Sequence, residues 1–405
     1  MSIDSFLNDL FRSGSLELAL PDDRHLIVGD GSAPEVAVTI ADALTLARII
    51  ANPSLAVGEA YMDGRLTLQR GHIRQLVDLA TRNMAARPRG PRPSALKVWR
   101  SRQLREHNQR RSARRNVAHH YDLSIDLYRA FLDDDLQYSC ALFERPDATL
   151  EEAQAAKKRH LAAKLHLSAD HHVLDIGCGW GGMALSLAQW SGARVDGVTL
   201  SAEQLSVAQS RAKARGLGDR ATFSLTDYRD VAGPYDRIIS VGMFEHVGRP
   251  NYQAFFDQVA NLLADDGVAV IHSIGRIEGP STTDPFTAKY IFPGGYIPAL
   301  SEVLPAVERA GLRITDIEIL RYHYAYTLAC WYQRFRANRE AIASLYDERF
   351  CRMWEYYLAG AEMGFRHGGH MNFQLQLTKR FDVLPVTRTY IEAAEQALRA
   401  EFGDS

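Results

Sequence analysis

The stretch VLDIGCGWGG, residues 173–182, decides the fold of this chain. Its apolar first half predicts a buried β-strand that carries Asp175 near its end. Gly177 and Gly179 then let the backbone approach a ligand closely, because glycine has no Cβ. A helix that begins near Trp180 would aim its free N–H groups at the same place. On its own, a glycine loop of this kind could bind NAD, FAD or S-adenosylmethionine.

Strand and helix patterns alternate around this loop. The sequence predicts strands at 172–176, 194–199, 221–226, 236–241 and 267–274, and helices at 150–166, 180–190, 202–215 and 251–263. This alternation predicts an α/β fold with a doubly wound parallel sheet, in which ligands bind beyond the carboxyl ends of the strands. Further on, we expect an ordered insertion or lid at 279–298, a strand at 312–320, helices around 327–363, a strand near 371–379 and a helix at 387–403.

Residues 1–81 have a different pattern and predict a small N-terminal α+β domain. LELAL, HLIVG and VAVTI alternate as strands do, and residues 43–66 predict a helix followed by a glycine-containing turn. The length also predicts a second domain, since a chain of 405 residues is longer than one hydrophobic core usually accommodates. Because this module has no cluster of titratable residues, we expect it to serve packing or docking.

A basic segment, residues 82–115, links the two predicted domains. It contains twelve lysines and arginines and a single acid, Glu106. Three prolines in its first part predict an extended linker, and residues 94–116 could form a basic helix. Such a segment is either a solvated tether or a site of attraction for anionic lipid headgroups. Nucleic-acid binding is disfavoured, because the chain has a formal net charge of −2 and Trp99 is the one aromatic residue in the segment.

Composition disfavours several other classes of protein. Hydrophobic residues make up 46% and charged residues 24%, as is typical of a soluble globular protein. No apolar run reaches about eighteen residues, and the acids near the start argue against a secretion signal. The four cysteines lie far apart, without a CxxC pair or histidines at zinc spacing, so we expect reduced thiols and no metal site.

Four further segments accompany the glycine loop: YSCALF (138–143), VTLSAEQ (198–204), VGMFEHVG (241–248) and AVIHSIG (269–275). Together with VLDIGCGWGG they resemble the cyclopropane-fatty-acyl-phospholipid synthase family of S-adenosylmethionine-dependent lipid methyltransferases, which includes mycolic acid cyclopropane synthase-like enzymes. The likeness runs from about Asn116 to Lys379, with a weaker similarity at VGEAYMDGRL (57–66). It implies a Rossmann-like class I methyltransferase domain over residues 116–405.

The resemblance implies that S-adenosylmethionine binds at the strand ends. Gly177 and Gly179 would hold its methionine part, with Asp175 orienting the loop. The other implied contacts are Tyr138 and Ser139 closing over the cofactor, Thr199, Leu200 and Gln204 around the ribose, Asp227 and Tyr228 at the adenine, and Val241 at the pocket floor. Leu200 and Val241 could equally be plain core residues. The sequence itself disfavours NAD, because no acid follows the second strand, where NAD enzymes place one for the ribose.

The acceptor implied by the resemblance is an alkene, a weak nucleophile with no proton to lose beforehand. Methyl transfer to an alkene builds positive charge on carbon, so the site must exclude water and then remove a proton. A carboxylate base could itself be alkylated, and the resemblance implies a bound bicarbonate ion as the base. Its implied holders are Cys140, Glu245, His272, Ile274 and Tyr324.

These five residues have groups that suit an anion. His272 and Tyr324 can donate hydrogen bonds from their side chains, and Ile274 from its backbone N–H. Glu245 would have to share a proton with the anion or with His272, because two bare anions repel each other. Taken singly, Cys140 could be an ordinary buried thiol and His272 a satisfied core histidine.

One position departs from the family pattern. Many members carry a cysteine in the helical segment that follows the tyrosine-rich region, where this chain has Ala361. Cys351 lies ten residues earlier and would point elsewhere. Covalent cysteine catalysis is therefore disfavoured, which agrees with direct transfer to the alkene.

The resemblance implies an enzyme that adds a methylene group from S-adenosylmethionine to a cis double bond of a phospholipid acyl chain, forming a cyclopropane ring. It implies a cytoplasmic enzyme that associates peripherally with the inner membrane, and a homodimer is possible. The acyl chain needs an apolar tunnel, for which the candidates are FTAKYIFPGGYIP (286–298), Tyr322, Tyr324, Tyr326, Trp331, Tyr332 and Phe335. The alternatives are an enzyme making methyl-branched or furan-precursor lipids, an inactive cofactor-binding module that docks on membranes, and a methyltransferase for a small soluble acceptor.

Overall fold

The computed structural model describes residues 3–87 and 123–403. These residues form two compact units. The first unit contains the described residues up to 87 together with Thr283–Pro293 and Ala325–Gly369, and the second unit contains the remainder. Within the described ranges, no helix is both long enough and apolar enough to cross a membrane.

The N-terminal part of the first unit contains a small mixed sheet and four helices. Its elements are α1 (Ile3–Leu10), β1 (Ser15–Ala19), β2 (His25–Gly29), β3 (Glu35–Ile40), α2 (Ala43–Ala51), α3 (Pro53–Met62), β4 (Leu66–Arg70) and α4 (Ile73–Ala85). The strand order is β2-β1-β3-β4, with β1 antiparallel to β2 and parallel to β3. Leu16 and Leu18 of β1 are buried, and the residues between them are less so, as expected of a strand with one buried face. The predicted small α+β fold is confirmed.

The prediction of a single helix within residues 43–66 is wrong. The structure has two helices there, because α2 ends at Ala51 and α3 begins at Pro53. Proline has no backbone N–H and cannot continue a helix, but its fixed φ angle suits the first helical position. Asn52 therefore ends one helix and precedes the next.

The second unit is built around a seven-stranded sheet. From residue 123 the elements along the chain are α5 (Ile125–Phe131), α6 (Leu150–Leu165), β5 (His172–Ile176), α7 (Gly182–Ser191), β6 (Arg194–Thr199), α8 (Ala202–Ala214), β7 (Ala221–Leu225), β8 (Tyr235–Val241), α9 (Tyr252–Leu262), β9 (Leu263–Arg276), α10 (Leu300–Arg309), β10 (Arg313–Ile319), α11 (Arg321–Ala337), α12 (Arg339–Leu345), α13 (Glu348–Arg366), β11 (His370–Thr378) and α14 (Thr389–Phe402). Of these, α12, α13 and the part of α11 from Ala325 onward belong to the first unit. The strand order is β10-β11-β9-β8-β5-β6-β7. The five strands from β9 to β7 are parallel, and β11 is antiparallel to both of its neighbours.

The five predicted parallel strands and the doubly wound α/β fold are confirmed. Both faces of the sheet are covered, since Leu174 and Phe256 belong to one buried apolar cluster, and Val173 and Leu185 belong to another. The strand order reverses at β5, which pairs with β6 on one side and β8 on the other. Ligands of such sheets bind in the crevice beyond the carboxyl ends of the strands at this reversal.

β11 differs from the other strands because one of its two buried faces is polar. Met371, Phe373, Leu375 and Leu377 belong to the apolar core. The alternating residues Asn372, Gln374, Gln376 and Thr378 are buried as well. β11 pairs with β9, which extends from Leu263 to Arg276 and is longer than the predicted 267–274. Buried amide groups therefore lie along one side of β9.

Two further predictions concern segments between these elements. In the predicted insertion at 279–298, residues Thr287–Ile291 form one turn of π-helix, and the ring of Phe286 packs 4.7 Å from that of Tyr356. At the start of the basic segment, α4 continues to Ala85. Residues 88–115 of the basic segment, and all of the predicted basic helix at 94–116, lie outside the described residues.

Candidate active site

The glycine loop after β5 leaves open space beside its backbone. Gly177 and Gly179 have φ angles of +80° and +56°, which glycine adopts without strain. A Cβ on Gly177 would lie 2.7 Å from the side chain of Met243, in the loop after β8. A Cβ on Gly179 would meet no atom within 4 Å. The loop is thus packed at Gly177 and open at Gly179, which gives a ligand room against the backbone.

Asp175 supplies a carboxylate beneath this loop. Its side chain is almost fully buried, and Oδ2 has no hydrogen-bond partner among the described residues. Burial raises the pKa of Asp175 to about 7. An unpaired buried carboxylate oxygen is costly unless a ligand donor satisfies it. The loop and Asp175 therefore fit S-adenosylmethionine, whose methionine part carries an ammonium group and a sulfonium.

The end of β6 brings Thr199 and Gln204 together. The Thr199 hydroxyl donates to Gln204 Oε1 at 2.7 Å, and both residues are buried. Ser201 begins α8 as its N-cap, with its hydroxyl accepting from the Gln204 N–H. Leu200, between them, is partly exposed. These contacts fix the loop that the sequence singled out for the ribose.

Asp227 and Tyr228, which follow β7 and were expected at the adenine, already have partners in the protein. Asp227 is buried, but both of its carboxylate oxygens already accept from the guanidinium of Arg229, at 2.8 and 2.6 Å. The ring of Tyr228 packs edge-on against Phe255, with centroids 5.4 Å apart. An adenine amine would therefore share Asp227 with Arg229.

The segment that carries Tyr138, Ser139 and Cys140 lies next to the end of β8. A Cβ on Gly242 would lie 3.7 Å from Ser139 Cβ and 3.9 Å from the Tyr138 carbonyl oxygen. The ring of Tyr138 packs in turn on Tyr128, 5.5 Å away. On the sheet, Val241 is the register partner of His272. The loops after β5 and β8, the 138–140 segment and β9 thus meet at one edge of the sheet.

Glu245 and Ile274 are in direct contact. The Ile274 N–H donates to Glu245 Oε1 at 2.7 Å, whereas Glu245 Oε2 is buried without a hydrogen-bond partner in the described part of the chain. Burial raises the pKa of Glu245 to about 7, although the Ile274 N–H, the backbone of Glu245 and the Ser273 side chain partly oppose this shift. A proton on Glu245 at neutral pH would let Oε2 donate to an anion. The Ile274 N–H is engaged by Glu245, so an anion would have to share it.

His272 is held by the polar face of β11. The Gln374 amide nitrogen donates to His272 Nδ1 at 3.2 Å, which leaves the ring proton on Nε2. Nε2 is buried, and the described residues provide it with no hydrogen-bond partner. Burial lowers the pKa of His272 well below its usual value, so the ring is neutral. The neutral His272 ring therefore offers the Nε2–H as a hydrogen-bond donor and carries no positive charge.

Cys140 and Tyr324 complete the set of residues expected at the acceptor side. Cys140 is fully buried, and burial raises the pKa of its thiol, so the group stays protonated. Tyr324 is buried in the first turn of α11. Its neighbour His323 accepts a hydrogen bond from the Phe143 N–H at 3.0 Å. This contact brings the start of α11 next to the segment that follows Cys140.

An anion with one proton, such as bicarbonate, fits the unpaired groups. Glu245 Oε2 and His272 Nε2 are buried polar atoms that no described residue satisfies. They are carried by the loop after β8 and by β9, the same two elements that the 2.7 Å contact joins. A bound bicarbonate ion would be held there by His272, Glu245 and the Ile274 N–H, and it would supply a base.

Three residues near this site were not predicted from the sequence. Gln374 fixes His272, and two residues of α6, Gln154 and Lys157, hold the 137–139 segment. A buried amide pattern on β11 could have indicated Gln374. For Lys157 the sequence had no distinguishing signal, because α6 contains four other basic side chains: Lys158, Arg159, His160 and Lys164.

Cys140, Cys178 and Cys351 are buried thiols. Cys351 is buried in α13 of the first unit, with its Sγ 3.9 Å from the Arg339 carbonyl oxygen. Ala361, where the resemblance to the family would lead one to expect a cysteine, lies in the same helix, α13. Among the aromatic residues considered for a tunnel, Tyr322 and Tyr326 are exposed, and Trp331, Tyr332 and Phe335 are buried.

Comparison with protein families adds to this geometry. Residues 108–375 match the family described as mycolic acid cyclopropane synthetase. Residues 2–87 match a domain of unknown function. The first match contains the glycine loop, the 138–140 segment, Glu245, His272 and Tyr324. More than half of the chain is therefore covered by one enzyme family.

Individual relatives agree with this assignment. A tuberculostearic acid methyltransferase of Mycobacterium tuberculosis is 38% identical over 377 residues, which cover 87% of this chain and 85% of the relative. A cyclopropane-fatty-acyl-phospholipid synthase of Escherichia coli is 37% identical over 364 residues, which cover 86% and 92%. The crystal structure of the mycolic acid cyclopropane synthase CmaA1 with S-adenosylhomocysteine and CTAB superposes with a TM-score of 0.62 at 34% identity, covering 65% of this chain and 97% of that one. The chain belongs to the cyclopropane synthase and fatty acid methyltransferase family, and it is an S-adenosylmethionine-dependent methyltransferase with that family's α/β fold.

Proposed function

We propose that this enzyme adds a methylene group to a cis double bond in the acyl chain of a membrane phospholipid and closes it to a cyclopropane ring. One observation supports this proposal above all. Glu245 Oε2 and His272 Nε2 are buried, unsatisfied and carried by adjoining elements, as a site for an anionic base requires. A methyl transfer to an amine or hydroxyl acceptor removes a proton that the acceptor already carries on nitrogen or oxygen, whereas ring closure must remove a proton from carbon after the transfer.

The cofactor side of the proposal rests on the strand ends. S-adenosylmethionine supplies an electrophilic methyl group on a sulfonium. Asp175 and the open backbone at Gly179 would hold the methionine part, and Thr199 and Gln204 would border the ribose. Tyr138 and Ser139 would limit access of water from the side of β8. The proposed contacts also include Gly177, Leu200, Asp227, Tyr228 and Val241.

The acceptor side of the proposal concerns a proton. Methyl transfer leaves positive charge on a lipid carbon, and ring closure needs a proton to leave the new methyl group. We assign a bound bicarbonate ion as the base, held by Cys140, Glu245, His272, Ile274 and Tyr324. Glu245 is suited to sharing a proton with that anion because its pKa is raised to about 7. His272 is neutral and so adds no positive charge near the lipid carbon.

The proposed substrate places the enzyme on a membrane surface. The basic segment 82–115 carries twelve positive side chains against one acid and would attract anionic headgroups. We therefore propose a cytoplasmic enzyme that associates peripherally with the inner membrane. A homodimer stays a prediction of the sequence.

A second candidate function is formation of a methyl-branched lipid. It is favoured by the relative named as a tuberculostearic acid methyltransferase, which matches this chain as well as the cyclopropane synthase does, at 38% against 37% identity. Both functions use the same cofactor and an unsaturated acyl chain. They share the transfer of the methyl group and differ in the fate of the resulting cation. Loss of a proton with ring closure gives a cyclopropane, whereas loss of a proton without ring closure gives a methyl- or methylene-branched alkene, which only a separate reductant could convert to a saturated branch.

The test is to incubate purified protein with vesicles of a cis-unsaturated phospholipid and methyl-labelled S-adenosylmethionine. We expect a mass gain of one CH₂ in the fatty acids and ring-proton signals of a cyclopropane in the proton NMR spectrum. A labelled product without ring protons would support the methyl-branched lipid instead. No label in lipid, together with label in an added soluble acceptor, would contradict both functions.

A further inference from the structure

Lys157 is a buried cation of α6 that contacts the 137–139 segment beside the proposed site. Its side chain is fully buried in α6. Nζ donates to Gln137 Oε1 at 2.6 Å and to Ser139 Oγ at 2.9 Å. Both acceptors are neutral. Burying an ammonium group with only neutral partners is unfavourable, so its presence here calls for a physical reason.

Lys157 differs in this respect from the other buried lysines of the same helix. Lys164 is equally buried, but its Nζ forms ion pairs with Asp316 at 3.0 Å and Glu318 at 2.5 Å. Lys158 pairs with Asp135 at 2.7 Å. In the described part of the chain, no carboxylate forms an ion pair with Lys157. Asp133 and Asp135 act on it from a greater distance, and burial lowers its pKa to about 8.

The neutral partners of Lys157 belong to the segment that leads into Cys140. Gln154, one turn earlier on α6, donates its amide to the carbonyl oxygens of Gln137 and Ser139, at 3.2 and 2.9 Å. Four hydrogen bonds from two side chains of one helix thus hold three consecutive residues, Gln137 to Ser139. These residues sit beside Gly242 at the end of β8.

The charge of Lys157 also acts on the groups around the proposed anion. Burial raises the pKa of the Cys140 thiol and of Asp175, and the charge of Lys157 opposes this shift in both groups. Burial lowers the pKa of His272, and the charges of Lys157, Lys164 and His160 lower it further. Lys157 therefore creates positive potential on the acceptor side and on the cofactor side alike. Positive potential without an anion would oppose both a sulfonium and a positively charged lipid carbon.

We propose that Lys157 is a positioning residue that holds the 137–139 segment, which leads into Cys140, and that its charge favours the binding of the proposed anion at Glu245 and His272. This inference rests on the proposed function, since it assumes an anion at that site. With the anion bound, the ammonium charge is compensated and no net positive charge faces the cofactor. Lys157 itself touches neither the anion nor the substrate.

Two substitutions separate the two parts of the inference. Lys157→Gln removes the charge but can still donate hydrogen bonds to Gln137 and Ser139. Lys157→Met removes both the charge and the hydrogen bonds. The probe is ¹³C-labelled bicarbonate, whose binding to the protein with S-adenosylhomocysteine is measured by NMR line broadening. The affinity for S-adenosylhomocysteine is measured separately by calorimetry.

For the wild-type protein we expect bicarbonate affinity, at fixed bicarbonate concentration, to fall as the pH rises from 7.5 to 9 and Lys157 loses its proton, the range being set by its pKa of about 8. In both variants we expect affinity to be weaker at pH 7.5, by about tenfold, and the pH dependence to be reduced. Only Lys157→Met should also weaken S-adenosylhomocysteine binding, by roughly threefold to tenfold, because the 137–139 segment is then released.

Lys164→Met is the matched control, since it removes an equally buried lysine whose charge is compensated. We expect it to lower the melting temperature and to leave the pH dependence of bicarbonate binding unchanged. Near-ultraviolet circular dichroism checks that each variant is folded. Wild-type bicarbonate affinity in Lys157→Gln would overturn the charge part of the inference, and wild-type S-adenosylhomocysteine affinity in Lys157→Met would overturn the positioning part.

Lipid product formation and bicarbonate binding together distinguish failure of this inference from failure of the proposed function. If the wild-type protein forms cyclopropane lipid but binds no bicarbonate, the anion part of the inference is wrong and the product assignment stands. If it forms no cyclopropane lipid yet binds bicarbonate with the expected pH dependence, Lys157 keeps its assigned role and the proposed reaction is wrong.

Discussion

The two carboxylate oxygens of Glu245 have different environments, and this difference predicts how substitution of Glu245 affects activity. One carboxylate oxygen accepts from the Ile274 N–H, and the other is buried and unsatisfied. In Glu245→Gln the amide oxygen can keep the contact with Ile274, but the group can no longer exchange a proton. We expect kcat to fall by roughly 100-fold, in the range seen when a preorganised polar group is removed from a reacting centre, with little change in S-adenosylhomocysteine affinity.

The pH dependence of Glu245 gives a second readout. Because its pKa is raised to about 7, the carboxyl group is protonated below that pH and charged above it. At fixed bicarbonate concentration we expect kcat of the wild-type enzyme to fall above pH 7, as the charged carboxylate repels the anion. Glu245→Gln should lack this step, and Glu308→Gln, an exposed residue of α10, should retain it. The same pH profile in Glu245→Gln and the wild type would remove Glu245 from the proposed proton path.

At the level of single residues, the sequence identified motif positions but not their partners. Glu245, His272 and Ile274 were implied by the resemblance to the family, whose motifs fall at strand ends in this chain, where this fold places its sites. The Asp227–Arg229 pair was not foreseen, since two residues in a 3₁₀ turn face each other only once the turn is formed. Lys157 was not foreseen because burial of one lysine among several basic neighbours depends on tertiary packing.

The C-terminal helix α14 is attached to α6 and β10 by buried charges. His160 of α6 contacts Glu318 of β10 at 2.8 Å through Nε2, and Glu395 of α14 through Nδ1. Burial alone would lower the pKa of His160, but the two carboxylates outweigh burial and raise it. The fold therefore stabilises the imidazolium.

The sign of the pH effect on this attachment follows from the raised pKa. Stabilisation by His160 is fully present below the usual histidine pKa of about 6.5, and it is lost as the pH rises through the raised value in the folded protein. We expect His160→Asn to lower the free energy of unfolding by about 2 kcal/mol at pH 6, and by less at pH 9. Denaturant unfolding at both values measures the difference.

The control for this prediction is His25→Asn, because His25 is an exposed histidine of β2. We expect that variant to unfold like the wild type at both pH values. A stability loss in His160→Asn that is equal at pH 6 and pH 9 would mean that His160 acts through packing and not through charge.

The bounds of elements with a clear hydrophobic pattern were predicted closely. The bounds of helices that a single residue interrupts were not. Each of the five parallel strands is observed within a few residues of its predicted range, because an apolar run between two helices has few alternatives. The helix pair α2 and α3 was predicted as one helix, although Pro53 alone would have placed the break. The polar face of β11 is a tertiary feature, since its amides are buried only because α6 and β9 also present polar groups.

For the whole molecule, the order of elements could be predicted and their grouping could not. The first unit takes Thr283–Pro293 and Ala325–Gly369 from far along the chain. No local pattern distinguishes those helices from helices of the second unit, since both kinds are amphipathic or buried. The predicted boundaries at 81 and 116 follow composition, and whether each predicted domain folds alone stays a prediction.

The distribution of charge over the whole chain leads to the last prediction. The formal net charge is −2, yet residues 82–115 carry twelve basic residues and one acid, so attraction to a membrane would come from this segment. Each basic residue near an anionic surface contributes about 1 kcal/mol, and about 0.5 M salt shortens the range of this attraction to a few ångströms. Replacing Arg110, Arg111, Arg114 and Arg115 by glutamine should therefore weaken binding to phosphatidylglycerol vesicles by at least about 100-fold at low salt.

Sedimentation with vesicles at low and high salt measures this binding, and the double variant Arg309→Gln/Arg313→Gln is the matched control, since both arginines are exposed and lie outside the segment. We expect the control to bind like the wild type, and all proteins to bind phosphatidylcholine vesicles weakly. Since the acyl chain and not the headgroup carries the reacting bond, the quadruple variant should keep its kcat on a short-chain unsaturated lipid below its micelle concentration while losing activity on vesicles. Equal loss on both substrates would show that the segment acts on catalysis and not on membrane attachment.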